Sequence, residues 1–274
     1  MNYELIDSGD GRRLERFGDY ILDRPDPEVL WKKALSEAEW KQADAFFKDR
    51  WVKNNVPEKW QMEHSRIKFW VRLAPFKHTG VFPEQSKQWE WINLQISKST
   101  NLQINILNLF AYTGIASLFA AKAGANVTHV DASKPAITWA NENRDLNGMQ
   151  SSPIRWIVDD AIKFTEREAK RGITYDAIIM DPPVYGHAPN GEPWDFNKDF
   201  PRLLDNCRKI LSDNPLFVLV NAYAISSSSI TLANTLQGYF GDLGGNIENG
   251  ELTLKEASAG RLLSTGIWAK WENK

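Results

Sequence analysis

The sequence predicts an α/β fold: a doubly wound, mostly parallel seven-stranded sheet with a C-terminal antiparallel hairpin, preceded by a small strand-rich α+β domain. Three observations carry this. From about residue 102, short apolar runs alternate with stretches of helical periodicity, the pattern of parallel strands joined by crossover helices. The last two strand-like runs, ELTLKEA (251–257) and STGIWAKWE (264–272), have no helical pattern between them and pair as a hairpin. The first 95 residues differ in texture and hold seven of the twelve tryptophans. The expected division is 1–95 and 96–274.

Within the first region, YELIDSGDGRRLERFGDYILDRP (3–25) reads as a hairpin turned at Asp10-Gly11, because that pair tolerates the left-handed backbone of a tight turn. PEVLWKKALSEAEWKQADAFF (27–47) has helical spacing of apolar residues, and WQMEHSRIKFWVRL (60–73) alternates as strands do. In the second region the expected strands are 104–110, 126–131, 154–160, 175–180 and 216–221. Helices are expected over 115–123, 134–147, 161–170, 197–211 and 226–239. Alternation in this order implies a doubly wound sheet.

Bulk composition excludes several classes. No stretch resembles a leader or a membrane span. A single cysteine, Cys207, excludes intrachain disulfides and cysteine-rich zinc sites, and a reducing cytoplasm fits. The four histidines (His64, His78, His129, His187) lack metal-ligand spacing, so no metal is expected. Net charge is −2, which is not that of a strongly basic nucleic-acid binder. Residues 41–77 nevertheless hold nine Lys/Arg against four Asp/Glu, with seven aromatics interleaved. That composition fits a nucleic-acid surface, and equally a tryptophan-cored domain with solvated lysines.

In an open α/β sheet, ligands bind beyond the carboxyl ends of the strands. The first such end, NLFAYTG (108–114), carries one glycine rather than a G-x-G-x-x-G series, so it suits a ligand without a diphosphate. Gly114 can supply a tight turn or simply start the next helix; Asn108, Phe110 and Tyr112 would line the pocket. Asp131 ends the second strand, where it can accept from ribose hydroxyls or, like Ser133, cap a helix. Asp160, after the third strand, can accept from an amine or cap the helix beginning at Ala161. DAIIMDPPVYG (176–186) is the most informative stretch. Consecutive prolines restrict the backbone and hold Asp181 extended, and Tyr185 offers a face on which a planar base can stack.

These features resemble the class I S-adenosylmethionine (SAM) dependent methyltransferases grouped with the bacterial 23S rRNA methyltransferases that modify cytosine C5 or guanine N7. The resemblance spans residues 80–270 and rests on TGVFPEQ (79–85), LNLFAYTGIASLFAAKAGA (107–125), VDASKPAITWANENRDLNG (130–148) and DPPVYG (181–186). It implies a SAM cofactor, held by Phe82, Gln85, Asn108, Phe110, Tyr112, Gly114, Asp131, Ser133, Asp160 and Asp181. It implies an RNA substrate, with Asp181, Pro182 and Tyr185 at the reacting centre.

One departure matters. Cytosine-C5 methylation requires a cysteine thiolate, which in the resembled enzymes follows the fifth strand. Here that stretch, LFVLVNAYAISSSS (216–229), has none, and Cys207 lies in an amphipathic helix pattern. The expectation is direct methyl transfer to a nucleobase in RNA, ribosomal RNA favoured. A protein or small-molecule acceptor is one alternative, and a non-catalytic ribosome-assembly module with a SAM fold is another.

Overall fold

The computed structural model describes residues 1–101, 103–187, 193–223 and 225–273. The chain forms two compact units: residues 1–86 with 252–265, and residues 87–251 with 266–274.

In the first unit, β1 (Tyr3–Gly9), β2 (Arg12–Phe17) and β3 (Tyr20–Pro25) form an antiparallel meander. The turn at Asp10 and Gly11 has φ of 51° and 74°, as the Asp-Gly pair predicts. The short α1 (Glu37–Trp40) leads to β4 (Ala45–Phe47), parallel to β3, and to β5 (Trp51–Lys53) at the sheet edge. β6 (Trp60–His64) and β7 (Ile67–Val71) form a separate hairpin. The helix expected over 27–47 is therefore reduced to four residues. The backbone of the preceding loop is engaged elsewhere: the Val29 and Trp31 carbonyls accept from Gly11 and Asp10, and Asp7 accepts from the Ala34 and Leu35 amides. Long-range hydrogen bonds thus override helical periodicity. Residues 252–265 complete this unit; Glu256 accepts from the Ser8 amide at 2.6 Å and is held by Arg261 at the same distance.

The second unit opens with α2 (Ser86–Lys98), which the sequence reading did not include although Trp89, Ile92 and Ile96 mark its buried face. There follow β8 (Asn105–Leu109), α3 (Ile115–Lys122), β9 (Asn126–Asp131), α4 (Lys134–Leu146), β10 (Ile154–Val158), α5 (Ala161–Arg171) and β11 (Ala177–Met180). A small hairpin, β12 (Tyr185–His187) and β13 (Pro193–Asp195), precedes α6 (Phe196–Lys209), β14 (Phe217–Ala222), α7 (Ser229–Phe240), β15 (Asn246–Lys255) and β16 (Leu262–Glu272). The seven-stranded sheet has the order β10-β9-β8-β11-β14-β16-β15, parallel except at its last strands, where β16 runs antiparallel to β14. Alternate residues sort to opposite faces. Ile106, Val127, Ile179 and Leu219 pack with α2 and α3, while Leu107, Leu109, Ile178 and Val220 pack with α5, α6 and α7. The strands are buried on both faces, which is why they read as continuous apolar runs.

Candidate active site

After β8 the chain runs outward through β9 to β10, and then returns to the other side of β8 to form β11. The switch point lies between β8 and β11. Their carboxyl ends, with those of β9 and β10, bring together the turn 110–114, Asp131, Asp159, Asp160 and Asp181. The ladder is carried past the strands: the Asp159 amide donates to the Asp131 carbonyl at 3.1 Å, and the Asp181 amide reaches toward the Leu109 carbonyl at 3.4 Å.

The turn is held in an unusual backbone. Phe110, Tyr112 and Gly114 have φ of 53°, 48° and 80°. For the two aromatic residues this region costs about 1–2 kcal/mol each, strain of a kind that clusters at functional sites. Long-range bonds stabilise it. The Tyr112 amide donates to Asp131 Oδ2 at 2.8 Å, and Asn143 Nδ2 donates to the Thr113 carbonyl at 2.9 Å. The Asp131 Oδ1 accepts from the Ser133 amide, also at 2.8 Å. Each oxygen keeps further lone-pair capacity. Burial pushes the Asp131 carboxyl above its ordinary pKa, against donation by the Ser133 and Tyr112 amides. Gly114 starts α3 and also makes a close approach: a Cβ there would stand 2.9 Å from the Cβ of Ala140 in α4.

The helix caps divide among the candidates. Ser133 caps α4 through its hydroxyl, and Asp160 caps α5 by accepting from the Lys163 amide at 2.8 Å. Asp159 accepts from the Asp160 amide and pairs with Arg167. Asn108 is enclosed under α3. Its amide donates to Ser117 Oγ at 2.9 Å, which lies 3.0 Å from His129 Nδ1. Burial holds His129 neutral, with its pKa lowered to about 3. Phe82 and Gln85 belong to the first unit; Gln85 is buried in a 3-10 turn whose Phe82 ring lies 5.9 Å from that of His78.

After β11, Pro182 is buried and Tyr185 is 74% exposed. Trp194, absent from the sequence-based set, organises this loop. Its indole N–H donates to the Pro183 carbonyl at 2.7 Å, its ring lies 5.0 Å from Phe110, and the Phe196 amide donates to the Val184 carbonyl. The signal that could have found it is Asn190-Gly191, a hairpin dipeptide that itself lies outside the described residues. Cys207 is fully enclosed in the core on α6, and burial pushes its thiol well above the ordinary range.

A sheet of this order, with its last strands reversed and its open strand ends carrying acids, is that of a class I methyltransferase. Residues 41–237 match the family described as S-adenosylmethionine-dependent methyltransferase, and the chain belongs to that family. A crystal structure of a SAM-dependent methyltransferase from Agrobacterium tumefaciens is 42% identical, covers 100% of this chain and 91% of that one, and superposes with a TM-score of 0.97. The ribosomal RNA large subunit methyltransferase K/L of Hahella chejuensis is 29% identical over 189 residues, 68% of this chain and 24% of that protein. The corresponding Shewanella frigidimarina protein is 32% identical over 161 residues, 58% and 22% of the two chains. The chain thus spans about a quarter of the length of these two relatives. The family to which it belongs is described by its dependence on SAM. The groups at the strand ends suit that ligand: carboxylates with spare acceptor capacity, half-buried rings, and a turn that carries no phosphate-binding glycine series.

Proposed function

We propose that the protein methylates a nucleobase in RNA, ribosomal RNA favoured, by direct transfer in the cytoplasm. The observation that carries this is the loop after β11, where Asp181 is followed by a buried proline and by a tyrosine ring open to solvent. The named activity of the two ribosomal RNA methyltransferases supports it. In this reading Asp131 accepts from the ribose hydroxyls and Asp160 from the adenine amine. Phe110, Tyr112 and Gly114 shape the pocket around the amino-acid portion, with Asn108 and Ser133 as supports.

Bound SAM supplies a methyl carbon already activated by a sulfonium, so the chain's own task is alignment. Asp181 accepts a hydrogen bond from an exocyclic amine of the target base and sets its orientation. Pro182 restricts the backbone of Asp181 to extended conformations and so limits the directions in which its side chain leaves the chain. Tyr185 stacks on the base, which must leave its own stack to be reached. No thiolate takes part, since Cys207 is enclosed and protonated.

Mass-spectrometric comparison of ribosomal RNA nucleosides from cells with and without the gene tests the proposal. Loss of one methylated nucleoside, restored by the wild-type chain but not by Asp181→Ala, is expected. An unchanged nucleoside profile, together with methylation of a protein or metabolite by the purified chain, refutes it.

A further inference from the structure

β5 and the loop after β7 carry rings and cations that the core leaves unused. Phe76 is 75% exposed and Val52 39%. The Trp51 indole N–H donates to the carbonyls of Ala74 at 2.8 Å and Phe76 at 3.2 Å, which ties the Phe76 backbone to the sheet edge. Phe47 packs edge-on against Trp51 at 5.4 Å between ring centroids and steadies that ring. Beside them Lys48, Arg50 and Lys53 are exposed and make no ion pair with any described residue; Asp49 is the acid among them. Lys53 shares the face of β5 that Trp51 occupies, two residues along the strand. This lies within the segment 41–77, where nine Lys/Arg stand against four Asp/Glu on a chain whose net charge is −2.

We propose that β5 and residues 74–77 form a platform for single-stranded RNA. Phe76 takes the face of one base, and Lys48, Arg50 and Lys53 neutralise neighbouring phosphates. The proposal rests on RNA being the substrate and adds where a strand outside the target nucleotide is held. Cations alone would suit any polyanion; a large ring left in water beside them specifies one with exposed flat faces. Single strands offer those faces, whereas a duplex keeps them stacked and presents phosphates and a shallow groove.

The test is fluorescence anisotropy of the full chain with a labelled unstructured RNA of roughly 12 nucleotides, alone and annealed to its complement, over a series of salt concentrations. Wild type should prefer the single strand. Phe76→Ala should weaken single-strand binding about 5- to 150-fold, the range of one lost base stack, and leave the salt slope unchanged. Arg50→Glu with Lys53→Glu should flatten the log–log salt slope by about 1.4, two phosphates' worth for a single strand. SAM affinity, measured by calorimetry, should be the same in all three proteins. If wild type binds RNA and neither variant changes it, the platform is overturned and the RNA reading stands. If Phe76→Ala weakens duplex and single strand equally, stacking is overturned. If wild type binds no RNA at any salt concentration, the RNA reading itself falls. Binding of polyglutamate in that case, lost on charge reversal, would assign the surface to an acidic protein instead.

Discussion

Gly114→Ala separates two costs at the turn after β8. The first is conformational: an alanine at φ of 80° occupies the left-handed region, at about 1–2 kcal/mol. The second is steric. The new Cβ would stand 2.9 Å from the Cβ of Ala140, with His129 and Trp156 at 3.4 and 3.5 Å. Ala140 is fully buried, so α3 or α4 must move, and overpacking of this kind costs about 1–3 kcal/mol. The expected destabilisation is therefore about 2–5 kcal/mol, a large part of the roughly 5–15 kcal/mol of an ordinary domain. Gly172→Ala is the control, because Gly172 has φ of 66° but nothing within 4 Å of an added Cβ. It should show the conformational cost alone. Urea unfolding of both variants, with Ala140→Gly added to each in a double-mutant cycle, isolates the steric part. Calorimetry on the folded fraction should show weakened SAM binding for Gly114→Ala and none of that loss for Gly172→Ala. If the two glycine variants are equally destabilised and Ala140→Gly rescues neither, the close approach of the helices is not what fixes glycine at this turn.

The other predictions concern single side chains. Asp131→Ala should weaken SAM binding by about 1.5–3 kcal/mol, as for lost hydrogen bonds to a charged acceptor; calorimetry giving an unchanged affinity would remove Asp131 from the cofactor site. Cys207→Ala should cost about 1 kcal/mol from a small core defect and retain turnover, whereas Asp181→Ala should stay folded and lose it. A covalent adduct with 5-fluorocytosine RNA would reverse that pair of expectations. His129, whose folded pKa is lowered to about 3, is neutral in the native state but takes a proton on unfolding below its ordinary value of about 6.5. The native state should therefore lose up to about 1.4 kcal/mol per pH unit from this residue as pH falls from 6.5 toward 3. Parallel stability curves for wild type and His129→Gln over that interval would show that the ring contributes no such dependence.

What could be read from the sequence depended on how local its cause was. Runs such as Ala177–Met180 are buried on both faces of the sheet and announce a central strand without reference to any other segment. Asp160 and Ser133 stand at the starts of helices and cap them, a role readable within four residues. Residues 27–47 failed because their fate is set at a distance. Trp31 and Trp40 turn their indoles to Ser8 and Asp7, while Leu30, part of the same apparent periodicity, is 90% exposed. Likewise no local signal joins residues 252–265 to the first unit, since Glu256 and Ser8 are 248 positions apart.

The strand-end acids were legible because each ends an apolar run, but an internal polar residue in such a run is ambiguous from sequence. Asn108 stands in NLFAYTG at the first strand end, and that place and the family resemblance make it an expected pocket residue. The structure shows Asn108 and His129 Nδ1 meeting at the Ser117 hydroxyl beneath α3, with His129 Nε2 buried and not bonded to any described residue, and with Tyr112 and Thr113 of the turn bonded to Asp131 and Asn143 instead. A buried polar group must find a partner, and that partner can be a ligand or the protein itself. The sequence supplies the need and leaves the partner open. Trp194 is the converse case. It carries no catalytic chemistry, yet it joins the Pro183 carbonyl to the Phe110 ring, and so couples the two loops that flank the switch point. Its importance follows only from where the chain places it.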